Sequence, residues 1–186
     1  MDKKEIPFLT ASQLSKLIET KEVSPVEATE AYLDRIQVLD GKLNSYITVT
    51  GEQALESARR AEQEISTGVN RGPLHGVPVA VKDQFNTAGV LTTGGSSILK
   101  DNLPEEDATV ISKLKNAGAV LLGKLNMSEF AMAEIYNHPY GTPRNPWDLE
   151  RNPGTSSSGS GAATAAFLCA TSLGEDTGGS IRGPAN

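Results

Sequence analysis

From Ser160 to Ala170 the chain is almost all Gly, Ala and Thr, with few large side chains. A helix of such residues has little bulk to hold a neighbour away, so it must pack very close to other elements or lie at the centre of the fold. Glycine- and serine-rich segments flank this stretch, Asn152-Pro-Gly-Thr-Ser-Ser-Ser-Gly-Ser160 before it and Gly174-Glu-Asp-Thr-Gly-Gly-Ser180 after it. Well upstream, Val77-Pro-Val-Ala-Val81 reads as an apolar strand running into Lys82-Asp83. A lysine at the end of a core strand is costly unless something uses it. Together these pieces can bring one amine and two serine hydroxyls to a single place, which reads as a hydrolytic site.

The rest of the chain supplies the scaffold. Residues 1–70 read as an amphipathic helical region, and 71–186 as the first part of an α/β core. Ser24-Pro-Val-Glu27 combines an N-cap serine, a proline at the first helical position and a glutamate three residues on. The helix it opens is expected to stop at about Leu39, before Asp40-Gly41, with Val26, Tyr32, Leu33, Ile36 and Leu39 on one buried face. A second, highly charged helix is expected from Glu52 to about Ile65. Asp107 is expected to cap a helix closed by Asn116-Ala-Gly118, followed by a buried strand at Ala119–Leu122 and a short helix opening at Asn126. Strand, helix, strand at this spacing implies a crossover connection and an α/β sheet. The proline-rich run from His138 to Asp148 is a long loop leading to the serines, and Ala170–Gly174 is a further strand.

Composition excludes several functions. A net charge of −6 offers no basic footprint for a phosphate backbone. No stretch approaches the 18 apolar residues of a membrane span, and no secretory signal is visible. The single cysteine, Cys169, forms no internal disulfide and sits among Ala and Leu as a small hydrophobe, which fits a cytoplasmic protein. Two histidines, His75 and His138, make a poor zinc set, and without a G-x-S-x-G elbow they give no support to a Ser-His-Asp triad.

Lysine is the alternative base, and Lys82 is the candidate. Its ordinary pKa of about 10.4 keeps it charged near neutrality, but burial disfavours the ammonium form. A hydroxyl in the 156–158 cluster can accept one hydrogen bond and donate another, so it can relay a proton. Successive amides around Thr177-Gly-Gly-Ser180 can face one concavity and hold an oxyanion, an effect of roughly 3 to 4 kcal/mol per donor. Blander assignments exist for each piece. Gly-Gly-Ser is commonly a plain turn, strand-end lysines reach solvent, Gly159-Ser-Gly161 at a helix start could cradle phosphate, and Asp176 and Arg182 can pair simply to brace the loop.

Taken in order, Gly76-Val-Pro-Val-Ala-Val-Lys-Asp83, Gly123-Lys-Leu-Asn-Met-Ser-Glu-Phe130, Arg144-Asn-Pro-Trp-Asp148, Pro153-Gly-Thr-Ser-Ser-Ser-Gly-Ser160 and Gly174-Glu-Asp-Thr-Gly-Gly-Ser-Ile-Arg182 closely resemble the amidase signature family. The resemblance implies that family's fold, a mixed β-sheet core covered by helices, with this chain as its N-terminal portion. It also implies a Ser-cisSer-Lys triad of Ser180 as nucleophile, Ser156 as bridging serine and Lys82 as base, the two serines lying 24 positions apart. Thr177, Gly178 and Gly179 resemble the oxyanion segment, and Ser157, Asp176 and Arg182 its supports.

Members hydrolyse amides through an ester intermediate, use no metal or organic cofactor, and often form homodimers, so the expected substrate is a small-molecule amide, with esters and carbamates open to the same machinery. Two departures stand out. Thr155 and Ser158 replace common glycines, and members continue well past the nucleophile, so the rest of the catalytic domain is expected to be missing here or on another chain. Two rivals remain. One is the A subunit of a glutamyl-tRNA(Gln) amidotransferase, although Ser156-Ser-Ser-Gly-Ser and Glu175-Asp lean towards a free-standing amidase. The other is a non-catalytic fragment that keeps only the fold.

Overall fold

The computed structural model describes residues 2–132 and 137–186; Met1, where the N-terminal region was expected to begin, lies outside them. Helices α1 (Ala11–Glu19) and α2 (Pro25–Leu43) each open with a capping box. Thr10 pairs with Gln13, and Ser24 Oγ accepts from the Glu27 amide at 3.1 Å while the Glu27 carboxylate accepts from the Ser24 amide at 2.9 Å. Helix α2 buries Ala28, Ala31, Tyr32 and Ile36.

It runs through Gly41, past the expected stop at Leu39, and ends where Asn44 turns left-handed at φ 53°. Asp40 fails to stop it because its carboxylate serves the next turn instead, accepting from the amides of Ser45 at 2.8 Å and Tyr46 at 3.3 Å.

That turn launches strand β1 (Tyr46–Val49), which interrupts the stretch expected to be helical over 1–70. Helix α3 (Gly51–Ser66) follows, turning its alanines 54, 58 and 61 inward and its charges outward. Strand β2 (Pro78–Lys82) is buried at all five positions.

Helix α4 (Thr109–Asn116) starts after Ala108, so Asp107 is not its cap. Asp107 instead accepts from the Ala88 amide at 2.8 Å and pairs with Lys115 at 2.7 Å, tying the helix to the preceding loop. Strand β3 (Val120–Leu125) extends three residues beyond the expected Leu122. The helix expected at Asn126 is one 3-10 turn, Glu129–Ala131, interrupted by Phe130 at φ 50°.

The small-residue segment forms helix α5 (Ser158–Ala165), and β4 (Thr171–Leu173) completes a four-stranded sheet in the order β1-β3-β2-β4. Strand β1 is antiparallel to β3, whereas β3, β2 and β4 are parallel. Lys82 aligns with Leu125 and Val81 with Leu173, so the three parallel strands finish side by side. Alpha-helical cover and sheet share one apolar core that includes Leu14, Ile18, Tyr32, Val79, Leu122 and Leu168. Among the described residues no helix is long and apolar enough to cross a membrane.

Candidate active site

The central strand β2 carries Lys82 to the edge where the parallel strands end. The side chain is fully buried, and its Nζ donates to Ser156 Oγ at 2.7 Å and to Glu175 Oε2 at 3.3 Å. Loss of solvation holds the amine below its ordinary lysine pKa; the carboxylates of Glu175 and, more weakly, Asp176 oppose that shift.

Ser156 enters from the serine-rich loop, just after a cis Thr155–Ser156 peptide bond, which is the geometry the family resemblance implies at this position. Ser156, Ser157 and Ser158 are all buried. Glycine at 159 is required by close approach. A Cβ there would lie 2.4 Å from the Ser45 carbonyl oxygen and 2.5 Å from backbone atoms of Asn126. The bulk-free start of α5 is thus pressed against the end of β3, where the Gly159 amide donates to the Asn126 carbonyl at 2.9 Å.

The loop after β4 supplies the second serine. Ser157 stitches the two serine loops together, its amide donating to the Ser180 carbonyl at 3.2 Å and its hydroxyl to the Glu175 carbonyl at 3.1 Å. Asp176 organises the turn, accepting from the amides of Gly179 (2.7 Å), Ile181 (3.0 Å) and Arg182 (3.0 Å) and from the Arg182 guanidinium at 2.8 Å. The Arg182 side chain, helped by these amides, holds the Asp176 carboxyl well below the usual carboxylate range.

Gly179 N–H is therefore directed at Asp176. Among the described residues the amides of Thr177, Gly178 and Ser180 have no hydrogen-bond partner. Ser156, Thr177, Gly178, Gly179 and Ser180 line one cavity of about 800 Å³, with Gln84, Asn86, Phe130 and Met132 across from them.

The predicted residues thus converge. Lys82 and Ser156 touch, Ser156 and Ser180 line one cavity, and Ser157, Asp176 and Arg182 hold the two loops. Neither histidine joins them. His75 lies beside Glu64, 3.1 Å away, and His138 Nε2 lies 3.1 Å from Ser158 Oγ. Cys169 is buried, and burial pushes its thiol up to about 12. Among the described residues no group of three acidic, histidine or cysteine side chains could hold a metal ion.

Sequence reasoning missed two polar centres. Glu175 was noted only as a motif variant, yet its carboxylate meets the Lys82 amine. Lys124 is as buried as Lys82, donating to the Phe85 carbonyl at 2.8 Å and Thr92 Oγ1 at 2.6 Å and facing Asp83 at 3.4 Å. Burial lowers its pKa to about 8 against the opposing pull of Asp83. Val-Leu-Leu-Gly-Lys124-Leu places a cation inside an apolar strand just as Val-Ala-Val-Lys82 does.

A lysine and a serine in buried contact thus stand beside a second serine and, among the described residues, loop amides without partners. The chain belongs to the Amidase family, whose model matches residues 27–186. The A subunit of the glutamyl-tRNA(Gln) amidotransferase of Moorella thermoacetica is 53% identical over 183 residues, 98% of this chain and 38% of that protein. Among solved structures, fatty acid amide hydrolase superposes with a TM-score of 0.93 at 31% identity, over 100% of this chain and 33% of that one. The peptide amidase of Stenotrophomonas maltophilia superposes with a TM-score of 0.89 at 37% identity, over 95% and 38%. The chain thus spans under two-fifths of the length of each of these three proteins. Further curated relatives, 45% to 52% identical, carry the same amidotransferase name, the rival that the serine and Glu175 motifs had leaned against.

Proposed function

We propose that this chain carries the nucleophile, relay and base of an enzyme that cleaves carboxylic amides through a seryl ester. The observation that carries this reading is the buried 2.7 Å contact between Lys82 Nζ and Ser156 Oγ. In its neutral form the same amine accepts a proton across that contact. Ser156 passes its proton to Lys82 and takes the Ser180 proton, and Ser180 Oγ forms a bond to the substrate carbonyl carbon. Negative charge on the carbonyl oxygen faces the Thr177–Ser180 loop, where amide donors left without protein partners are available to it. Collapse of the adduct breaks the C–N bond as Lys82, through Ser156, returns the proton to the leaving amine. Water then attacks the ester by the same route in reverse, releasing the acid and Ser180. No step calls for a metal or an organic cofactor.

The test is labelling of the full-length polypeptide by a fluorophosphonate–rhodamine probe. Labelling is expected in the parent and lost in Ser180→Ala; equal labelling of both would sink the assignment.

A second reading is favoured by the identity to the amidotransferase relatives. In it the amide is the side chain of glutamine, the leaving group is ammonia, and a partner chain receives it. Glutaminase activity that appears only with tRNA and a copurifying partner chain supports this reading. Turnover of simple amides by the polypeptide alone supports the free-standing amidase, whose homodimer is checked by sedimentation.

A further inference from the structure

Glu175 occupies a junction that neither serine loop explains. Its Oε2 lies 3.3 Å from Lys82 Nζ, its Oε1 accepts from the Thr177 hydroxyl, and its backbone carbonyl accepts from Ser157 Oγ at 3.1 Å. One side chain therefore spans the amine and the loop that presents Ser180. The carboxylate is about a quarter exposed, whereas the amine it meets is fully buried. A buried ammonium needs an anion, and few are within reach. From the loop after β4, Lys82 is faced by Glu175 and at longer range by Asp176, whose own carboxylate is committed to Arg182. From the serine loop it is faced by the neutral Ser156. On the β3 side the neighbouring cation, Lys124, is turned to Asp83 and the Phe85 carbonyl, so Asp83 is not free to serve Lys82.

We propose that Glu175 is the counter-ion of Lys82 and a positioning residue for the reaction, holding the resting amine as an ammonium and tying it to Thr177. The inference rests on Lys82 being the base. Its consequence is a pH setting. The amine works only after losing its proton, and a carboxylate at this range favours the protonated form. The pH at which activity rises is therefore higher with Glu175 than without it.

Removing the negative charge lowers the Lys82 pKa, so more amine is neutral at any given pH and the acid limb of the profile moves to lower pH. An opposite charge within about 4 to 6 Å shifts a pKa by roughly 1 to 3 units. A displacement of about one unit makes labelling about five-fold faster one unit below the parent midpoint.

The experiment measures the second-order rate of fluorophosphonate–rhodamine labelling of the full-length polypeptide from pH 5 to 10, in the parent, Glu175→Gln, Glu175→Ser and Lys82→Ala. Two replacements of different size guard against one that disturbs folding, which circular dichroism monitors. The expected result is an acid-limb midpoint at least about one unit lower in the Glu175 variants, with Lys82→Ala slow throughout. Unchanged midpoints with Lys82→Ala slow overturn the counter-ion role and leave the lysine base standing. Lys82→Ala labelling as fast as the parent overturns both. A merely structural role for Glu175 changes the plateau rate but not the midpoint.

Discussion

Each of the two buried lysines has a consequence at the scale of a single side chain. Lys82→Met keeps most of the side-chain volume but removes the proposed proton acceptor, so turnover of an amide substrate is expected to fall about 10²- to 10⁴-fold with the melting temperature little lowered. Ser156→Ala cuts the proposed route between the amine and Ser180 and is expected to lower turnover in the same range; a rate within a few-fold of the parent would show that Lys82 does not work through it. Lys124→Met is the contrasting case. It leaves the buried Asp83 carboxylate facing no cation, and loss of one partner from a buried pair costs about 3 to 5 kcal/mol. Urea unfolding is expected to show this as a large drop in stability. Lys82 could be found in the sequence because its strand ends there and glycine-rich serine loops follow. Lys124 carries the same local signal of a cation in an apolar strand, but its partners, Asp83, Phe85 and Thr92, come from a loop more than thirty positions earlier that no local pattern predicts.

Among the elements, α5 shows why small residues were legible and helix ends were not. A run of Gly, Ala and Thr announces close packing in any context, and the structure presses Gly159 against Ser45 and Asn126. Gly159→Ala is therefore expected to destabilise the fold by about 1 to 3 kcal/mol or more, because backbone rather than a flexible side chain occupies the added methyl's place. A thermal shift of less than a degree would contradict this. Helix ends depend on rivals for the same polar groups. Asp40 finds its partners beyond its helix, at Ser45 and Tyr46, and Asp107 divides its carboxylate between the Ala88 amide of the preceding loop and the Lys115 side chain within α4. Strand β1 went unseen since four residues carry too little periodicity to distinguish a strand from a loop.

For the whole molecule, the site is a long-range object. Lys82 meets Ser156 across 74 positions and Glu175 across 93, so no local fragment can assemble it. Labelling of Ser180 is expected to vanish at the same denaturant concentration as the far-ultraviolet circular dichroism, as in a cooperative transition. Loss of labelling at markedly lower denaturant would mean that the serine loops open as a separate unit.

The side-by-side finish of β2, β3 and β4 carries a last consequence. Strand β2 delivers Lys82 to that shared border, and the connections leaving the border carry Ser156 and Ser180. An enzyme hydrolysing fatty acid amides and one named for peptides superpose on this chain at TM-scores of 0.93 and 0.89 with barely a third of residues the same. Two enzymes named for different amides thus share one foundation, so the foundation alone does not choose between them.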